Sequence, residues 1–144
     1  MATSNAATNY LERRLLHFLF KNNSLSFSSP GDSIYVGLCT AVSAAETGSV
    51  TEASFGGYAS QQVAAASWAP IGADSTDTQT AKNASEIEFP AKTDSGNVTI
   101  THVIIADASS SGNILFVGAL DASKTLAQND IFRINATNLS IELK

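Results

Sequence analysis

The chain has 144 residues, a formal net charge of −5 and a charged-residue content of 15%. A single domain of this length buries enough apolar surface to fold without covalent staples, and the one cysteine, Cys39, cannot form an intramolecular disulfide. The acidic balance without a basic stripe argues against nucleic acid as a partner, and no apolar run approaches the ~20 residues that span a bilayer.

We expect one domain over residues 1–144, beginning with a flexible arm over residues 1–8 and a helix over residues 9–22. The arm is small and polar and lacks the basic and apolar regions of a signal peptide, so we expect synthesis in a reducing compartment. The helix begins at Asn9, a capping residue, with Glu12 at capping-box spacing.

The predicted helix carries an apolar stripe that is wider than one packing contact requires. Its opposite side holds Glu12, Arg13, Arg14, His17 and Lys21. We therefore predict that the stripe contacts a second copy or another protein. The candidate contact residues of the helix are Leu11, Leu15, Leu16, Phe18, Leu19 and Phe20.

Residues 33–144 show the short apolar runs and turn clusters of a β domain. Long loops are predicted over Ala41–Gly57 and Pro70–Ala84, and a turn over Lys92–Asn97. The predicted strands are Ser33–Thr40, Ser60–Trp68, Glu86–Phe89, Val98–Asp107, Asn113–Leu120, Asp130–Asn135 and Asn138–Lys144. The fourth and fifth strands form a hairpin in this interpretation, and the last two form a second pair. The predicted fold class is mainly β with one N-terminal α-helix, as an antiparallel β-sandwich or barrel-like sheet.

The segment GNILFVGAL, Gly112–Leu120, is apolar on both faces. It is either a central strand covered on both sides within one chain, for instance by the helix, or a strand whose second face meets a copy of itself. Because the second alternative is open, Leu115 and Val117 join the candidate contact residues.

The chain offers few of the residues that activate nucleophiles, bind metals or hold cofactors. His17, His102 and Cys39 are not spaced as metal ligands, and each is interpreted as structural. Gly31-Asp32-Ser33 resembles a lipase motif but precedes its strand, with no histidine after His102 to serve as a base. We predict no catalytic, cofactor-binding or metal residues, and a protein that is not an enzyme.

The order of motifs resembles a family of small virion proteins of tailed bacteriophages, often labelled tail-fibre-like. That family has an N-terminal helix, then a Tyr-Val-Gly-Leu strand, and later a Gly-Asn-x-Leu-Phe-x-Gly-x-Leu strand. The matching segments here are Tyr35–Leu38, Thr51-Glu52, Gly56–Ala59, Phe89-Pro90, Thr101–Val103 with Asp107-Ala108, Gly112–Leu120 and Ile131–Leu143. One departure is Ile100 between Thr99 and Thr101, where relatives run Val-Thr directly into the histidine.

The resemblance implies a structural virion protein made in the bacterial host cytoplasm. The favoured function is a capsid cement or decoration protein, a homotrimer that clamps neighbouring copies of the major capsid protein. The alternative is a tail fibre, tail or baseplate component that contacts tail proteins. A second alternative is a cellular carbohydrate- or protein-binding β module, whose candidate stacking residues are Tyr10, Tyr35, Tyr58 and Trp68. No membrane or nucleic-acid partner is expected.

Overall fold

The structure is a computed structural model that describes residues 5–21, 34–71 and 79–143. The predicted turn before the first long strand, with Gly31-Asp32-Ser33, lies outside the described residues. In chain order the elements are β1 (Ala6–Ala7), α1 (Asn9–Lys21), β2 (Tyr35–Ala44), β3 (Ser49–Glu52), β4 (Gln61–Gln62), a 3₁₀ turn (Ala65–Ser67), β5 (Gln79–Lys82), β6 (Ile87–Glu88), β7 (Val98–Ala106), β8 (Ile114–Leu126), β9 (Arg133–Ile134) and β10 (Ser140–Leu143).

One antiparallel sheet with the strand order β1-β8-β7-β2-β3 forms the body, and β4 pairs with the end of β2. The sheet curls into a half-barrel. Two small antiparallel pairs, β5 with β10 and β6 with β9, complete the described strands. The predicted class, mainly β with one N-terminal helix and a barrel-like antiparallel sheet, is confirmed.

The main core lies between one face of this sheet and the two small pairs. It joins Val36, Leu38 and Val103 of the sheet to Ile87 and Ile134 of the β6–β9 pair. The opposite face carries a second, smaller cluster of Cys39, Ala45, Ile104 and Val117. Both faces of the central strands are therefore covered within one chain, which explains why the segment around β8 shows little alternation.

The hairpin of β7 and β8 is the part of the fold that the sequence predicts best. Asp107 closes its turn, because the carboxylate accepts hydrogen bonds from the backbone N–H of Asn113 at 2.7 Å and from its side-chain amide at 2.9 Å. The second strand runs to Leu126, six residues beyond the predicted end at Leu120. Its last part, Asp121–Thr125, is exposed and polar, which is why the apolar pattern ends before the strand does.

The pairing of β7 with β8 is irregular between Ile100 and His102, where one residue of β7 lies opposite four residues of β8. The register shifts between Ile100 and His102, so Ile100 and Val103 share the main core while Ile104 lies in the second cluster. The sequence alternation had placed His102 on one face with Ile100 and Ile104. At this irregularity β7 loses its strict alternation, so Ile100 and Val103, three residues apart, both lie in the main core.

The segment predicted as a loop over Ala41–Gly57 is largely a hairpin. β2 continues to Ala44, and β3 pairs back onto it with two register irregularities. Gly48 takes the left-handed conformation (φ 69°) that the tight turn needs. The small Ala, Ser and Thr side chains of this hairpin give little apolar periodicity, so the sequence signal was too weak to show it.

The predicted pairing of the last two strands is wrong. β9 pairs with β6, and β10 pairs with β5. β5 itself falls inside the predicted loop Pro70–Ala84. Within the predicted strand Ser60–Trp68, only Gln61–Gln62 is extended in the sheet, and a 3₁₀ turn follows.

The buried side chain of Asn83, just after β5, is hydrogen-bonded to the segment between β9 and β10. Its Nδ2 donates to the carbonyl oxygens of Ser85 (2.7 Å) and Asn135 (2.9 Å), and its Oδ1 accepts from the N–H of Leu139 (2.9 Å). These bonds satisfy the backbone on either side of the turn before β10. The turn therefore leads the chain to β5 instead of back onto β9.

The predicted arm is ordered from Asn5 onward. Ala6 and Ala7 pair with Val117 and Phe116 as an edge strand, while residues 1–4 lie outside the described part. The helix cap is Thr8, whose Oγ1 accepts from the N–H of Leu11 at 3.4 Å. Asn9 was the predicted cap, but the Glu12 N–H donates to the Thr8 carbonyl at 3.1 Å, so Thr8 is the cap and Asn9 is the first helical residue.

Candidate interaction surfaces

The helix α1 exposes its apolar stripe. It has no buried residue, although it follows the predicted bounds closely. Among the predicted contact residues only Leu11 is half-buried. The exposed fractions of the others are 42% for Leu15, 56% for Leu16, 48% for Phe18, 60% for Leu19 and 75% for Phe20. Exposed apolar surfaces of this kind are typical of sites that contact other proteins.

The less exposed side of α1 does not coincide with its apolar stripe. Tyr10, Arg14 and His17 are half-buried and recur at helical spacing. The Arg14 guanidinium lies 5.3 Å from the centre of the Tyr10 ring, in a cation–π contact. The helix therefore turns Arg14 and His17 toward the body, whereas most of its apolar stripe is exposed together with Glu12, Arg13 and Lys21.

A groove of about 810 Å³ lies between β8 and the C-terminal strands. Its apolar wall includes the half-buried side chains of Phe116, Leu120 and Ile141 and the edge of the buried Leu139. The strand β1 lines one end of the groove. The chain therefore exposes two apolar surfaces, this groove and the stripe of α1.

The rim of the groove is polar and carries both signs of charge. Asp121 and Glu142 are exposed on it. Arg133 also lines it, but its Nε lies 2.7 Å from Glu88 Oε2 and 3.6 Å from Glu86 Oε1. Lys124 lines the groove as well, so the described lining holds two acidic and two basic side chains.

Leu115 and Val117 are not available for contacts with another chain. Their exposed fractions are 5% and 3%, and Val117 packs in the second cluster. The sequence could not separate a strand covered within one chain from a strand that meets a second copy. The prediction that these two residues form intermolecular contacts is therefore corrected.

Two of the aromatic residues considered for sugar stacking pack against the main core. Tyr58 stacks parallel to the buried Phe89, and Trp68 lies against the same core. The Tyr58 hydroxyl donates to Glu52 Oε1 at 2.7 Å and accepts from the Leu38 N–H at 2.9 Å. Burial, with that bond to Glu52, raises the pKa of Tyr58 above its ordinary value. The Tyr58 hydroxyl thus links the loop after β3 to β2 by a hydrogen bond.

Structural roles also account for the histidine and the thiol in the sheet. His102 Nδ1 lies 2.8 Å from Thr101 Oγ1, and burial lowers the His102 pKa, so the ring is neutral at pH 7. Cys39 is fully buried, and burial together with Glu52 raises its pKa to about 12. Within residues 5–21, 34–71 and 79–143 no cluster of His, Cys, Asp and Glu could hold a metal ion.

The Cys39 thiol is expected to resist alkylation and thiol–disulfide exchange in the folded protein, because only the thiolate reacts and burial suppresses it. A chromogenic disulfide reagent at about pH 8 should titrate no thiol in the native protein and one thiol after denaturation. Reaction of the native protein at the denatured rate would contradict the burial described here.

Lys92 lies in the predicted turn and is a buried residue that the sequence did not reveal. Its exposed fraction is 2%, and its Nζ donates to Asp94 Oδ1 at 2.8 Å and to the carbonyls of Asp94 and Ser95. The hydrogen bond from Lys92 lowers the pKa of the exposed Asp94 carboxyl. The Lys92 ammonium group therefore stabilises the loop before β7 and is buried away from any ligand.

No helix in the described part of the chain is both long enough and apolar enough to cross a membrane.

A comparison with known families gives a match that spans both the helix and the β body. A family model described as Podophage GP4 fiber I protein gp80 matches residues 6–142. A comparison with curated proteins finds no match. The family match confirms the resemblance to virion proteins of tailed phages that the motif order indicates.

Proposed function

Because this chain belongs to the podophage GP4 fiber I protein gp80 family, and is thus a podophage fibre-related structural protein, we propose that it is a fibre component of the podophage tail. In this role it contacts tail proteins and catalyses no reaction. The observation that supports the proposal is the extent of the match, since residues 6–142 include β1, α1 and nearly all of β10. The match therefore covers nearly all of the described fold.

The surface of the protein suits permanent contact with other proteins. Only 15% of its residues are charged, against ~25% in typical soluble domains. The apolar stripe of α1 is a large exposed apolar surface, and such a surface is stable in a virion where a neighbour covers it. Both features fit a structural protein of an assembled particle, whether it lies on the head or on the tail.

Capsid cement, the role that the sequence alone favoured, is the second candidate. A compact domain with one projecting apolar helix has the form of a clamp between capsid subunits, which is the observation in its favour. The family's description as a fibre protein favours the tail. For this reason we place the fibre role first and the cement role second. Membership in this family also speaks against a cellular sugar- or protein-binding module.

Immunogold labelling of intact particles, viewed by negative-stain electron microscopy, tests the fibre role. An antibody against this protein should label the tail or collar. Even labelling over the heads would overturn the fibre role in favour of cement. Particles of a phage that does not carry the gene, exposed to the same antibody, serve as the control. Absence of label from both intact and disrupted particles would contradict any virion role.

A further inference from the structure

We draw no further inference here: the strongest candidate, the groove between β8 and the C-terminal strands together with the exposed apolar stripe of α1, carries nothing, because the described lining of the groove holds charges of both signs and nothing in the structure shows what covers either surface.

Discussion

Asn83→Asp is expected to lower the free energy of unfolding by roughly 3 kcal/mol or more at neutral pH. Asn83 is fully buried, and its Nδ2 donates to two backbone carbonyls, those of Ser85 and Asn135. A carboxylate has nearly the same shape but donates no hydrogen bond. The two carbonyls would lose their donor and would face a buried negative charge.

The destabilisation caused by Asn83→Asp should become smaller as the pH falls. Burial beside carbonyl oxygens raises the pKa of the introduced carboxyl in the folded state above its value in the unfolded chain. The destabilisation is therefore largest above the folded-state pKa and becomes smaller as the pH falls toward the unfolded value, since the protonated acid regains one donor. Denaturant unfolding at about pH 7 and about pH 5 measures both the size and the trend.

Asn97→Asp is the matched control, because Asn97 lies exposed in the turn before β7. The same chemical change there should alter stability by no more than about 0.5 kcal/mol. Equal losses in the two variants would mean that the added charge acts through the net charge of the chain. The role given to the Asn83 hydrogen bonds would then be wrong.

Phe89→Ala is expected to cost about 3–5 kcal/mol, the range for removing a buried aromatic side chain. Phe89 is 1% exposed and lies at the centre of the main core. Its ring is parallel to that of Tyr58 at 6.4 Å between centroids and meets Phe132 edge-on at 5.8 Å. Its backbone N–H also donates to the Phe132 carbonyl, which limits how far the core can collapse into the cavity.

Ile71→Ala provides the comparison, because Ile71 is 64% exposed. Removing apolar carbon there should change the free energy of unfolding by about 0.5 kcal/mol or less. Guanidinium unfolding followed by tryptophan fluorescence is a direct measurement, since Trp68 packs against the same core as Phe89. A Phe89→Ala variant as stable as Ile71→Ala would contradict the position of Phe89 in that core.

Of the two candidate surfaces, only the apolar stripe of α1 could be predicted from the sequence. The apolar stripe from Leu15 to Phe20 was visible because helical periodicity is a local property, and the structure leaves it exposed. The groove was invisible, because Phe116, Leu120 and Ile141 come from strands that are distant in the sequence. Leu115 and Val117 were assigned to the surface, because a strand covered on both faces has the same pattern whatever covers it.

The sequence by itself determined the elements whose signal is local. These are the helix over Asn9–Lys21, the β7–β8 hairpin and the class of fold, and each depends on periodicity and turn residues within a short segment. The motif order also indicated the phage virion family. Only the tertiary structure decided which strands pair, because pairing depends on contacts between distant segments. The buried Asn83 accepts a hydrogen bond from Leu139 just before β10, which pairs with β5, and the irregular register between β7 and β8 places Ile100 in the same core as Val103. The direction of the helix stripe was decided in the same way, by the bonds of Thr8 and Asn9 to Leu115 and Glu46.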